Sequence, residues 1–203
     1  MSTAIHLIKL KKDFIAFHYN GNFIEQDLHT EKKVREFCFN NNIPLVVETG
    51  TNTYKTGSKE EYCRKARYSA IANTCNEYNF RHVVTAHNLD DCVTSYMWNC
   101  LRGKCDYNPL PFETTYPEFT LTRPYLLVSK DEMRKYGVDT YPTINNYIVE
   151  DELNSDVTLT RNFIGKVVVP LIHSKKHFNL NTVVRKIVEK KLKNFLDNKE
   201  TPV

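Results

Sequence analysis

Three short runs of β-favouring, largely apolar residues, separated by stretches in which apolar side chains recur at helical spacing, restrict this chain to a small set of folds. The runs are Phe14-Ile15-Ala16-Phe17, Pro44-Leu45-Val46-Val47 and His82-Val83-Val84-Thr85-Ala86. Short, continuous and rich in β-branched residues, they read as buried strands of a parallel sheet. Between them, Thr30 to Asn41 places Val34, Phe37 and Cys38 on one helical face, and Lys59 to Tyr78 does the same with Ala66, Ala70 and Ile71. After the third run, Leu89 to Arg102 carries Val93, Met97 and Leu101 at i, i+4 and i+8. Strands separated by helices of this size imply right-handed βαβ units, so the fold class is α/β: a parallel sheet with helices on both faces. In such a sheet the ligand lies beyond the carboxyl ends of the strands, which directs attention to the residues just after Phe17 and Ala86. The proline-containing segment from Lys104 to Thr120 reads as an irregular connection.

A chain of 203 residues holds one well-buried core and is short for two domains, so one domain is expected. No segment approaches the roughly 20 apolar residues of a membrane span, and the first residues offer no small-residue cleavage site. A soluble, cytoplasmic protein without a membrane partner is expected. Six cysteines include no Cys-x-x-Cys pair, and they read as reduced and structural, with zinc not expected. The net charge of +4 permits a nucleic-acid partner without demanding one. Its distribution says more. From His173 onward Lys175, Lys176, Arg185, Lys186, Lys190, Lys191 and Lys193 outnumber the acids, while Val184, Ile187, Val188, Leu192, Phe195 and Leu196 recur at helical spacing. The segment 173–203 is therefore a basic amphipathic helix, either a solvated face or a phosphate-contacting one.

Three clusters are candidates for chemistry. In Thr85-Ala86-His87-Asn88-Leu89-Asp90-Asp91, His87 stands at a strand's carboxyl end and the two aspartates fall in a helix's first turn. Acids there complement the helix dipole; two carboxylates beside a histidine also suit Mg²⁺ on nucleotide phosphates, or proton transfer. Glu60, Arg64 and Arg67, at i, i+4 and i+7 with Tyr68 beside them, form either a surface ion pair or a phosphate-binding face. The third cluster, Glu150-Asp151-Glu152-Leu153-Asn154-Ser155-Asp156 followed by Arg161-Asn162, is an acidic turn with Asn154 as a possible helix cap. Spacing alone selects no substrate.

Taken in order, Glu60-x-x-x-Arg64-x-x-Arg67-Tyr68, Thr85 to Asp91, Leu101-Arg102-Gly103, Arg123-Pro124 and Glu150-Asp151-x-x-Asn154-x-Asp156-x-x-x-x-Arg161-Asn162 resemble the successive motifs of tRNA(Ile)-lysidine synthetases. The resemblance covers about residues 2 to 172 and implies the PP-loop group of N-type ATP pyrophosphatases, with a Rossmann-like, adenine nucleotide alpha hydrolase-like fold. It makes 1–172 the catalytic domain and 173–203 an appended helix. It also implies a ligase that uses ATP and Mg²⁺ to adenylate the wobble cytidine of the isoleucine tRNA with a CAU anticodon, after which L-lysine displaces AMP. By position, the resemblance assigns His87, Asp90 and Asp91 to activation, with Asp90 and Asp91 toward Mg²⁺. Ser2, Glu60, Arg64 and Arg67 fall to ATP and its phosphates, and Arg161, Asn162 and Lys166 to nucleotide and RNA.

The chain departs from the pattern at several places. Family members open with a strand and a Ser-Gly-Gly-x-Asp-Ser loop that cradles pyrophosphate at a helix N-terminus. Here Met1-Ser2-Thr3-Ala4-Ile5 matches the helix after that loop, with Ser2 at the loop's last serine, so the loop is expected to be missing and a second chain is one possible source. Thr94 stands where the family has a glutamate that serves lysine or cytidine. Gly165 stands where a second arginine follows Arg161-Asn162, with Lys166 one step along as its substitute, and His18 loosely matches a His-Gly segment. Two alternatives follow: a non-catalytic nucleotide- or RNA-binding relic, or one part of a split enzyme; and a tRNA-thiolating enzyme of the same fold, whose cluster-dependent kind the lack of Cys-x-x-Cys opposes.

Overall fold

The computed structural model describes residues 1–51, 53–54, 59–104, 110–149 and 156–200. Met1–His82, Tyr116–Phe119 and Arg134–Asp151 make one compact unit; Val83–Thr115, Thr120–Met133 and Glu152–Val203 make the other.

In the first unit, α1 (Ser2–Lys9), β1 (Ala16–Asn20), α2 (Glu25–Asn40), β2 (Leu45–Thr49) and α3 (Lys59–Glu77) follow one another. β1 and β2 pair in parallel, in register from Ala16 with Leu45 to Asn20 with Thr49. Both end two or more residues beyond their apolar runs, because pairing rather than hydrophobicity fixes a strand's end. Pro44 has no N–H for the ladder and enters only through its carbonyl, which accepts from the Ala16 N–H at 2.8 Å. The core gathers Ile5, Phe37, Cys38, Ile43, Ile144 and Tyr147. Phe37 meets Tyr147 edge to face with ring centroids 5.5 Å apart, and the Asn40 amide donates to the Tyr147 hydroxyl at 2.9 Å, fixing the end of α2.

β3 (His82–Val84) and α5 (Lys130–Thr140) each have residues in both units. The second unit also holds α4 (Leu89–Leu101), β4 (Glu113–Thr115), β5 (Thr120–Thr122), α6 (Thr160–Phe163), a π turn (Ile164–Val168), α7 (Val169–His173) and α8 (Leu180–Glu200). Its strands lie in the order β3-β5-β4, with β4 and β5 antiparallel. The segment expected to be irregular therefore contains a hairpin. Its threonines favour strand geometry, and the turn closes through the Tyr116 N–H on the Phe119 carbonyl at 2.8 Å, with Pro117 confined to the turn. Leu89, Cys92, Val93, Leu126, Val184 and Val188 form the core, so the apolar stripe of α8 packs on α4. α4 ends before Gly103, whose φ of +71° is the left-handed conformation that glycine adopts without steric cost. No described helix is long and apolar enough to cross a membrane.

Candidate active site

The chain leaves β3 through Thr85, whose N–H donates to the Thr122 carbonyl at 3.0 Å, while its hydroxyl and His87 Nδ1 share a hydrogen bond of 2.8 Å. Asn88 then caps α4: its Oδ1 accepts from the N–H groups of Asp90 at 3.0 Å and Asp91 at 3.3 Å. Asp91 Oδ2 accepts in return from the Asn88 N–H at 3.0 Å, closing a capping box. The other oxygen of Asp91 accepts from Arg161 Nη2 at 2.9 Å. Both oxygens of Asp91 are thus committed to protein donors. Asp90 is more open: Oδ2 accepts from the Lys130 N–H at 2.7 Å, and Oδ1 has no protein partner among the described residues.

Arg161 and Asn162 lie on α6, and the Asn162 amide donates to the Asp156 carbonyl at 3.0 Å, tying the helix to the turn before it. Asp156 itself accepts from the Thr158 N–H and hydroxyl, bonds that hold its carboxyl below the usual range. The helix continues through the π turn, whose hydrogen bonds span five residues rather than four, into α7. There Gly165 faces α4. A Cβ on it would meet the Thr94 hydroxyl oxygen at 3.3 Å, so the glycine permits this close approach. Lys166, in the same turn, is exposed. Glu150, Asp151 and Asn154 lie outside the described residues.

In the other unit the helix motif divides. Glu60 is on α3, the Arg64 guanidinium lies 5.5 Å from the centre of the Tyr68 ring, and Tyr68 in turn packs on Tyr116. Arg67 is exposed on α3, near enough to β1 for its charge to act on His18 and Tyr19. Ser2 heads α1 with its hydroxyl turned to α5, 2.7 Å from where a Cβ on Gly137 would stand.

A polar network around the end of β1 is absent from the sequence reading. Asn20, 1% exposed, donates to Glu31 Oε2 at 2.7 Å and accepts from the Asn22 N–H, while Arg35 Nε holds the other Glu31 oxygen at 2.7 Å. The Asn20 bond, ahead of the Arg35 ones, keeps the Glu31 carboxyl below the usual range. His18 Nε2 is buried without a hydrogen-bond partner among the described residues, and burial pushes its imidazole toward the neutral form. The loop after β2 is pinned to this end: the Gly50 N–H donates to the Asn20 carbonyl at 2.8 Å, and a Cβ on Gly50 would fall 2.6 Å from the Tyr19 hydroxyl. The signal for this network was Glu31 and Arg35 at i, i+4, the spacing that drew attention to Glu60 and Arg64.

No group of three or more His, Cys, Asp or Glu among the described residues could hold a metal ion. Mg²⁺ asks for less, one or two carboxylates beside substrate phosphates, and the open oxygen of Asp90 meets that requirement.

Residues 2–172 match the PP-loop domain family. The chain belongs to that family. This PP-loop chain is 31% identical over 163 residues to the tRNA(Ile)-lysidine synthase of Mesoplasma florum, covering 78% of itself and 40% of that protein. It is 31% identical over 159 residues to the lysidine synthase of Lactiplantibacillus plantarum, covering 77% of itself and 35% of that protein. With the lysidine synthase of Buchnera aphidicola from Acyrthosiphon pisum it shares 25% over 185 residues, covering 88% of itself and 41% of that protein. The resemblance carried by the motifs is therefore borne out, and the PP-loop chain spans about 40% of the length of these relatives. Among solved structures, a U34-tRNA thiolase from Methanococcus maripaludis, described with its iron–sulfur cluster, superposes with a TM-score of 0.69 over 95% of this chain and 69% of its own, at 15% identity. That likeness bears out the α/β fold.

Proposed function

We propose that this PP-loop chain carries the ATP-dependent activation chemistry of a tRNA(Ile)-lysidine synthase, with 1–172 as the catalytic domain and 173–203 as an appended segment, whose helix α8 begins only at Leu180. The observation that supports this best is the clasp at the head of α4, where Asp91 closes the capping box and grips Arg161 while the neighbouring Asp90 keeps an oxygen open. On this reading two jobs that the sequence leaves merged fall to different residues. Asp91 is a positioning residue that holds Arg161, and Asp90 with His87 meets nucleotide and Mg²⁺. Bound there, Mg²⁺ would neutralise charge on the ATP phosphates and orient them.

In the first unit Arg67, rather than the Tyr68-stacked Arg64, is the guanidinium assigned to phosphate. Lysine as the amine, the isoleucine tRNA with a CAU anticodon as the acceptor, and Asn162 and Lys166 as RNA contacts complete the proposal. The Ser-Gly-Gly-x-Asp-Ser sequence does not occur in residues 1–203, so the reaction is expected to need a strand and loop of that kind joined to Ser2 or added as a second chain.

The test incubates the 203-residue chain, and the same chain preceded by such a strand and loop, with ATP, Mg²⁺, labelled lysine and that tRNA. Label in RNA and release of pyrophosphate from the extended form support the proposal. Labelling of tRNA at equal rates by both forms overturns the need for the loop. Labelling by neither, with nucleotide or RNA binding retained, favours the non-catalytic reading, and sulfur entering the tRNA when a sulfide donor replaces lysine favours a thiolase.

A further inference from the structure

Between Asp156 and Glu189 the chain contains no acidic residue, while Arg161, Lys166, Lys175, Lys176, Arg185 and Lys186 are all cationic. Arg161 and Arg185 are paired with Asp91 and Glu132, and Lys166, Lys175, Lys176 and Lys186 remain to create a local positive field that the net charge of +4 conceals. The field lies along α6, α7 and the start of α8, and at the corner between α7 and α8 the surface is hollowed. A cavity of about 350 Å³ there is lined by His173, Phe178, Asn179, Asn181, Thr182 and Arg185.

The lining is chemically mixed in a particular way. Phe178 is 62% exposed, so one face of its ring is open to solvent beside the cavity. It follows directly on the exposed Lys175, Lys176 and His177, and its own N–H is fixed on the Lys175 carbonyl at 2.9 Å. Arg185 Nη2 donates to Glu132 Oε2 at 3.0 Å, while Nε is buried and has no acceptor among the described residues. Glu132 Oε2 also accepts from the Ser129 N–H at 2.7 Å, so the oxygen that positions the guanidinium is itself held by the backbone. His173 Nε2 accepts from the Leu180 N–H at 3.2 Å, which places the ring proton on Nδ1. Two amides and a hydroxyl complete the wall.

We propose that this corner docks single-stranded RNA, with Phe178 as the platform for one base and Arg185, Lys175 and Lys176 on the flanking phosphates. A ring open to solvent beside cations suits an unpaired base between phosphates, and duplex RNA withholds its bases from such stacking. Asn181 and Thr182 offer donors and acceptors to a base edge, a feature without use against a lipid surface. The proposal rests on the lysidine-synthase reading only for which RNA is bound, the CAU-bearing loop of that reading being the natural occupant.

The test uses the full chain and a fluorescent RNA hairpin with an unpaired loop, a blunt duplex of the same stem, and phosphatidylserine vesicles. Binding is followed by anisotropy, or by co-sedimentation for vesicles. Hairpin is expected to bind more tightly than duplex. Phe178→Ala is expected to weaken hairpin binding about tenfold, as loss of one base–aromatic stack predicts, and Phe178→Tyr to restore it. Arg185→Gln should lower the slope of log affinity against log salt by about 0.7, one single-strand phosphate contact. Since Arg185 also braces Glu132, its melting curve is compared with the parent's; Phe178, being exposed, carries the test if Arg185→Gln unfolds. Hairpin affinity unchanged within about twofold in Phe178→Ala, equal binding of hairpin and duplex, or capture by vesicles alone would overturn the proposal. Failure of the two readings is separable. If Phe178-dependent hairpin binding persists but no lysine reaches tRNA, the docking surface stands without the lysidine activity. Lysine attachment with an unchanged KM for tRNA in Phe178→Ala has the opposite meaning.

Discussion

Asp91→Ala removes a capping acceptor, a favourable first-turn charge and an ion-pair partner in one step, and the structure sets the size of each loss. The Asn88 N–H loses the Oδ2 acceptor it meets at 3.0 Å, a cap interaction of about 1 kcal/mol. Loss of negative charge at the start of α4 adds about 0.3–1 kcal/mol. The pair with Arg161 is half in solvent, its side chains 29% and 53% exposed, and such pairs contribute only about 0.2–1 kcal/mol after screening. These terms overlap, so a total near 1–2 kcal/mol is expected. At about 2–4 °C per kcal/mol for a chain of this length, Tm should fall by about 2–8 °C. Thermal melts followed by circular dichroism measure it, and a cycle with Arg161→Ala isolates a coupling of about 0.2–1 kcal/mol. Asp91→Asn, which keeps an acceptor oxygen but loses the charge, should recover most of the stability while weakening the hold on Arg161. An Asp91→Ala variant melting with the parent would refute the capping box as a source of stability, and Asp91→Asn melting as low as Asp91→Ala would move the effect from hydrogen bond to charge. Asp90→Asn leaves the box intact and removes only a first-turn charge, so loss of ATP-dependent activity there with a fall in Tm of no more than about 1–4 °C tests its separate role.

Three further outcomes are expected. Burial pushes the Cys92 thiol up to about 12, so iodoacetamide at pH 8 should alkylate the exposed Cys100 and leave Cys92 unmodified, as read by peptide mass spectrometry; early loss of Cys92 would contradict its burial. His18 is held toward neutrality chiefly by burial, so its share of stability is complete above its unfolded value of 6.5 and is lost as pH falls below it; urea midpoints between pH 8 and 5 should drop less steeply in His18→Gln, and parallel curves would exclude it as the cause. Arg67→Ala should weaken ATP binding more than Arg67→Lys, because only the first loses the charge; isothermal titration showing both equal to the parent would remove Arg67 from phosphate binding.

The parallel pair β1–β2, helices α2, α3 and α4 and the apolar stripe of α8 were legible because burial imposes a period on their sequence, as at Val184 and Val188. The placing of Asp90 and Asp91 in a helix's first turn was legible too, since Asn88 and an acid three residues on form a local signal. What escaped depended on partners distant in sequence. The β4–β5 hairpin sits among prolines and too few residues to show alternation, and its strands are defined by pairing. Equally, no local pattern says that Asp91 would be gripped by Arg161, or that Asn20 would bury its amide on Glu31, because those contacts exist only once helices have docked.

The π turn at Ile164–Val168 bears on how this chain is aligned with others. A turn closed by five-residue bonds accommodates one residue more than its α-helical counterpart, so a single insertion or deletion there can be absorbed locally instead of rotating everything downstream by a full residue step. Within the turn, Gly165 lies against Thr94 while Lys166, one residue on, is exposed. What such an insertion or deletion must conserve in this region is the helical face, with a glycine kept against Thr94.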